Sequence, residues 1–263
     1  MSLVFAAITP HPPILIPAVG KEHLAKIEKT KQALERLEQD LYSTKPDVIF
    51  IISPHGELHA ESFTINLSPE FNIDFEIFGD FTTKMTLPGD TVLITVAKEK
   101  LAERSPINII SAPKLDHGIG VPLSYLSKHL QETPIIPIYF SMLDNQAHLE
   151  FGKALKDLIL NTDKRVAVIA SGDLSHCLND KAPAPFSPEG KQFDEQITKI
   201  IQAGDLASLV NLDPGLAEKA AECGLRSLLI LAGILSDINY QAEILSYEGP
   251  FGVGYLVAEI KLS

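Results

Sequence analysis

At 263 residues the chain is long enough to bury a full hydrophobic core without disulfides or a structural metal. A formal net charge of −12, with no local Lys/Arg cluster, gives a field that repels phosphate backbones and argues against nucleic acid as a partner. With 45% hydrophobic and 21% charged residues, and no apolar run approaching the ~18 residues of a span, a membrane protein is not expected either.

The opening MSLVFAAITPHPP has no basic segment ahead of its apolar stretch, and Pro10 falls where a secretory signal would have to continue. Cys177 and Cys223 lie far apart without paired spacing, so neither a disulfide framework nor a zinc ribbon is indicated. The expected location is a reducing cytoplasm.

In chain order, LVFAAIT from Leu3 is a short apolar run of the kind that forms a strand buried on both faces. A helix is predicted over 22–42, where Leu24, Ile27, Leu34, Leu37 and Leu41 recur at helical spacing. DVIFIIS from Asp47 reads as the next buried strand, followed by a helix at about 90–103. PIIPIYF from Pro134 and RVAVIASG from Arg165 are two further strands, with a helix at about 145–160 between them. The proline-rich stretch 181–188 can neither pair regularly in a sheet nor sustain a helix, so a surface loop is expected, and a loop of this kind beside a site can serve as a lid. Helices follow at about 190–203 and 215–236, and 241–260 reads as two strands around a glycine-rich turn. The rhythm is α/β: one domain over 1–263 with a mostly parallel central sheet flanked by helices. No repeat or linker divides it.

Of the eight histidines, four lie at or just past a strand end or in a Gly/Pro-marked turn: His11 in ITPHPP, His55 in ISPHG, His117 in LDHGIG and His176 in SGDLSH. Open α/β sheets bind ligands beyond the carboxyl ends of their strands, so loops distant in sequence can converge on one crevice. Neutral imidazole is the commonest metal ligand and the side chain best suited to moving protons near neutral pH. A lone loop histidine is more often a surface residue than a ligand; four in matching positions change that balance. His23, His59, His129 and His148 lack such contexts and are read as solvated. GPFGVGY has the wrong spacing for a dinucleotide fingerprint and continues into a β-rich run, and no GxSxG, P-loop or HExxH is present.

The succession TPHPP, SPHG, LDHG and GDLSH resembles that of the class III extradiol ring-cleavage dioxygenases, the LigB-like superfamily, across essentially the whole chain. The segments ASGDLSH, AAECGLRSLLILAG and LSYEGPFGVGYLVA further resemble the LigB-like domain of AmmeMemoRadiSam proteins, relatives of the Memo proteins. The resemblance implies a LigB-like three-layer sandwich. It implies His11, His55 and Glu222 as ligands of Fe(II), with Zn(II) as the alternative, and His117 and His176 as acid–base residues. Memo-like relatives carry a cysteine in the neighbourhood of the third ligand, and Cys223 stands beside Glu222. A carboxylate completes the facial triad that leaves open positions on Fe(II); a thiolate favours a softer site. A structural role for Glu222 is an ion pair with Arg226 at i,i+4 spacing. Asp116 and Asp173 are candidates for fixing histidine tautomers, or for Asx turns.

Two functions follow from the resemblance. One is an oxygenase that uses O2 on a catechol-like small molecule. The other is a Memo-like metal- or partner-binding protein without ring cleavage, working with a radical SAM enzyme. A homo-oligomer is compatible with both.

Overall fold

The computed structural model describes residues 2–263. Its main sheet has eight strands in the order β6-β3-β7-β2-β8-β1-β10-β9. These are β1 (Leu3–Thr9), β2 (Val48–Ser53), β3 (Phe63–Asn66), β6 (Ile107–Ile110), β7 (Ile135–Tyr139), β8 (Val166–Ser171), β9 (Tyr240–Glu248) and β10 (Tyr255–Leu262). A separate antiparallel pair is formed by β4 (Glu70–Phe75) and β5 (Asp80–Pro88). The helices are α1 (Pro17–Gly20), α2 (Glu28–Ser43), α3 (Thr91–Ala102), α4 (His117–Leu126), α5 (Asn145–Leu160), α6 (Pro188–Gln202), α7 (Pro214–Ala220) and α8 (Leu225–Ile234).

The four central strands β7, β2, β8 and β1 are mutually parallel. Their apolar runs are continuous because both faces are covered. Along β2, Val48, Phe50 and Ile52 enter one core while Ile49 and Ile51 enter the other, and β8 alternates in the same way. The first core is closed by α3, α5, α6 and α8, the second by α2, α4 and the β4–β5 pair. Helix, sheet and helix therefore form the three layers expected, and the mostly parallel sheet is confirmed.

Three sequence expectations change. The helix predicted over 22–42 begins as a 3-10 stretch, Lys21–Ile27, and is α-helical only from Glu28. The helix predicted at about 215–236 is two helices, because Ala221 adopts a left-handed φ of 52° after α7. His148, read as solvated, is fully buried on α5, its ring nitrogens 2.7 and 3.1 Å from the carbonyl oxygens of Asp144 and Ser141. No helix among the described residues is long and apolar enough to cross a membrane.

Candidate metal centre

Register aligns the ends of the parallel strands: Thr9 pairs with Ser171, and Ser53 with Tyr139. Residues just past these ends project over one edge of the sheet. His11 follows β1, His55 follows β2, and Asp173 and His176 follow β8. His117 arrives differently, as the first residue of α4 rather than on a loop.

The site is built on a helix defect. Within α4, Pro122 has no N–H to donate to the carbonyl of Gly118 four residues earlier. The Ser171 hydroxyl donates to that carbonyl instead. Its single proton is thereby committed, so Ser171 Oγ can only accept from His11 Nδ1, 2.9 Å away. That sets the His11 tautomer, with the proton on Nδ1 and the lone pair on Nε2. The His11 backbone N–H donates to Asp173 Oδ1 at 2.9 Å and locks the loop to the end of β8.

His11 Nε2 lies 2.9 Å from His55 Nε2 and 3.6 Å from Cys223 Sγ. The donor atoms of these three residues all lie within 4.8 Å of one another. Cys223 reaches this point because the left-handed Ala221 breaks the chain between α7 and α8. Gly172 and Gly224 then let two backbones touch: a Cβ on Gly172 would meet Gly224 Cα at 2.2 Å. The Cys223 N–H donates to the Asp173 carbonyl, and the Asp173 N–H points at Cys223 Sγ from 3.3 Å.

The predicted carboxylate ligand is placed elsewhere. Glu222 Oε2 accepts the Leu225 N–H at 2.6 Å in the first turn of α8, so Cys223, not Glu222, faces the two imidazoles. Among the described residues Glu222 makes no close ion pair with Arg226, although the guanidinium still favours its charged form against the effect of burial. Of the eight histidines the structure brings four to one place. His117 stacks on His55 with centroids 4.4 Å apart and lies edge-on to His11 at 5.4 Å. His176 stands behind Asp173, with Nε2 4.0 Å from Asp173 Oδ2 and Nδ1 buried without a partner. His59 stays beside Glu57, and His129 pairs with Glu38.

Burial, and then the neighbouring imidazoles, drive the His11 pKa well below its ordinary value. The same causes bring His55 to about 4, and burial lowers His117 and His176. All four are neutral at pH 7, with lone pairs free for a metal or a proton. Burial raises Asp173 to about 7 and Glu222 to about 7, and pushes the Cys223 thiol up. Two convergent imidazole nitrogens, one with its lone pair fixed inward, beside a thiol and with carboxylates behind them, fit a transition-metal ion. Thiol deprotonation would accompany binding. Asp116 accepts the Ser53 hydroxyl at 2.6 Å, and Ser53 Oγ also takes the His55 N–H, so this carboxylate positions the His55 loop.

Residues 5–258 match the family model described as the catalytic LigB subunit of aromatic ring-opening dioxygenase. The chain belongs to the LigB family. It is 30% identical to Protein CA_C1420 of Clostridium acetobutylicum, a match over 99% of this chain and 58% of that protein. It is 24% identical to the 2-aminophenol 1,6-dioxygenase beta subunit of a Pseudomonas species, over 99% of this chain and 94% of the relative. The 4,5-DOPA dioxygenase extradiol of Beta vulgaris is 28% identical over 66% of each chain. Among solved structures, an uncharacterized Escherichia coli K12 protein, JW3007, shares the fold with a TM-score of 0.67 at 17% identity, covering 98% of this chain and 99% of that one.

Proposed function

We propose that this chain is a non-haem Fe(II) extradiol-type dioxygenase acting on a catechol or aminophenol, with His11, His55 and Cys223 as metal donors and His117 and His176 as acid–base residues. The observation that carries the reading is the convergence of His11 Nε2 and His55 Nε2 beside two further neutral imidazoles. A bound metal would supply Lewis acidity toward the two ortho substituents and a position for O2.

The chain's own residues do the rest. Ser171 holds the His11 lone pair inward, and the stacked His117 holds the His55 ring. His117 and His176 are neutral at working pH and can each accept a phenolic proton, then return one later in turnover. The His176 ring is partly exposed, with Nε2 4.0 Å from Asp173 Oδ2 and Nδ1 buried behind it, so the Nε2 side is the one open to a substrate proton. Residues 1–263 act as one LigB-type unit in this reading, in the cytoplasm.

Cys223 supports a second reading. Two imidazoles and a thiol suit softer ions, Zn(II) among them, and a Memo-like metal- or partner-binding role beside a radical SAM enzyme, without ring cleavage. Protein loaded anaerobically with Fe(II) or Zn(II), then given catechol or 2-aminophenol and O2, separates the two. The dioxygenase reading expects iron-dependent O2 uptake with a ring-opened product. Stoichiometric metal binding with no O2 uptake on any phenol favours the second.

A further inference from the structure

We infer that the turn joining β4 to β5 selects the substrate: Phe78 borders the aromatic ring beside His117, and Ile77 and Phe81 receive an uncharged, apolar substituent on that ring. This inference rests on the site reading proposed above and adds the element that chooses among phenols.

Packing on α4 brings this turn to the site. Asn72 of β4 is zipped to the segment that leads into α4: its N–H donates to the Pro113 carbonyl at 2.7 Å, and its carbonyl accepts the Leu115 N–H at 3.0 Å. Further along β4, Ile73 and Phe75 lie against Gly120, where a Cβ would meet them at 2.8 and 3.4 Å. Three residues past Phe75, Phe78 reaches His117, which stands one helical turn before Gly120, with ring centroids 5.3 Å apart and an interplanar angle of 72°. His117 in turn stacks on His55. Phe78 is therefore one ring removed from a proposed metal donor, and it is only partly buried.

The apolar residues of this hairpin divide into two groups. Phe71, Ile73 and Phe75 are buried in the second core and hold the hairpin down, whereas Ile77 and Phe81 are 77% and 69% exposed and add nothing to that packing. They stand one and three residues from Phe78. A Cβ on Gly79, between them, would meet no atom within 4 Å, so the turn projects into open space. Its shape is nevertheless fixed. Gly79 takes a left-handed φ of 85°, and Asp80 Oδ1 accepts the Thr82 N–H, the Thr82 hydroxyl and the Thr83 N–H at 2.9, 2.7 and 3.2 Å. A preorganised apolar patch continuous with a site marks a ligand contact. The charges around it say which ligand. Lys84 is paired with Glu76 at 2.8 Å and Lys114 with Asp74 at 2.9 Å, and Asp80 adds a carboxylate, in a chain of net charge −12. An anionic substituent finds no free cation there, while an alkyl or aryl group gains by leaving water.

The test measures binding of catechol, 3- and 4-propylcatechol and the two matching dihydroxyphenylpropionates by anaerobic calorimetry. The iron-loaded proteins are wild type, the double variant Ile77→Ser with Phe81→Ser, Phe78→Ala and Phe78→Leu, with metal titrations and melting temperatures as controls. At about fourfold for each buried CH2, one propylcatechol should bind wild type about tenfold or more tighter than catechol, and tighter than its propionate counterpart. In the double variant the ratio of propylcatechol to catechol affinity should fall towards one. Phe78→Ala should weaken every catechol by about 2–10-fold, the scale of an aromatic contact, at unchanged metal affinity. Phe78→Leu keeps apolar bulk and should fall between, which also reads the effect if the alanine variant does not fold. Equal affinities for catechol and both propylcatechols in wild type, or a preference that survives the double variant, overturn the inference while leaving the dioxygenase reading intact. So does a propionate that binds as tightly as its propyl counterpart. If sedimentation shows a wild-type dimer that the double variant dissolves while the preference survives, the patch is a contact between copies instead. Should no catechol bind, the dioxygenase reading fails and the inference falls with it.

Discussion

Ser171→Ala isolates the link between the proline in α4 and the His11–His55–Cys223 cluster. The hydroxyl serves two buried groups, the Gly118 carbonyl that Pro122 cannot satisfy and the His11 Nδ1–H. Leaving a buried polar group unpaired costs about 1–3 kcal/mol, so losing both partners should cost about 2–6 kcal/mol. For a domain of this size that lowers the melting temperature by roughly 5–20 °C. Without an acceptor at Nδ1 the imidazole no longer prefers the tautomer with Nε2 free, and loss of such an outer partner costs about 10–100-fold in metal affinity. Calorimetric metal titration and thermal melts on the same protein read the two effects. Ser171→Thr should restore both. In Ser171→Ala with Pro122→Ala, the Gly118 carbonyl regains a helical donor, so stability should recover in part while metal affinity stays low. Wild-type affinity in Ser171→Ala would refute the tautomer argument.

Cys223→Ser should cost at least the 10–100-fold in metal affinity attached to outer partners, whereas Glu222→Ala should keep the metal and lose about 1–3 kcal/mol of stability with its bond to Leu225; the reverse pattern in metal titrations would restore the carboxylate as ligand. Gly172→Ala puts a Cβ 2.2 Å from Gly224 Cα where ordinary contact begins at 3.4 Å. The backbones must separate by about 1 Å, with roughly 1–3 kcal/mol lost and weaker metal binding, read by melts and titration. His176→Ala should retain metal and catechol-analogue binding while turnover falls by about 10²–10⁴-fold, measured by O2 uptake, and loss of metal would assign it as a ligand instead. In metal-free protein Asp173 and Glu222 titrate near 7 folded, against ordinary values of 3.8 and 4.5, so the native state holds protons that the unfolded chain has released. Their stabilising neutral forms are lost as pH rises through 7. The histidines, with folded values below 6.5, oppose this, because the unfolded chain keeps their protons until pH passes 6.5. The carboxyl share is read by difference: relative to Asp173→Asn, the wild-type melting temperature should fall as pH rises from about 4 to 7, and a gap that stays constant with pH would refute the assignment.

Much of the scaffold was readable in one dimension. Continuous apolar runs at Leu3, Asp47, Pro134 and Arg165 became β1, β2, β7 and β8, because a parallel strand buried on both faces must be apolar throughout. The histidines that follow strand ends converge because parallel register brings those ends to one edge of the sheet. The short strands β3 and β6, at one side of the sheet, offer too few residues for a period to show, and the start of α4 at His117 was hidden by glycines and a proline that usually mark turns.

The sequence by itself determined the residue types at the crevice: four imidazoles at strand ends and Gly/Pro-marked turns, and an adjacent glutamate and cysteine. The fold separates that last pair in space: Cys223 lies beside the two imidazoles and Glu222 does not. The choice turns on the φ of 52° at Ala221, on the contact of Gly172 with Gly224, and on the Leu225 N–H that draws Glu222 away. It also decided the tautomer of His11, through a hydroxyl 160 residues away whose proton is claimed by a carbonyl left bare by Pro122. Neither outcome has a local signature, because each depends on which backbones approach closely enough to exchange a hydrogen bond, and only the folded chain sets those distances.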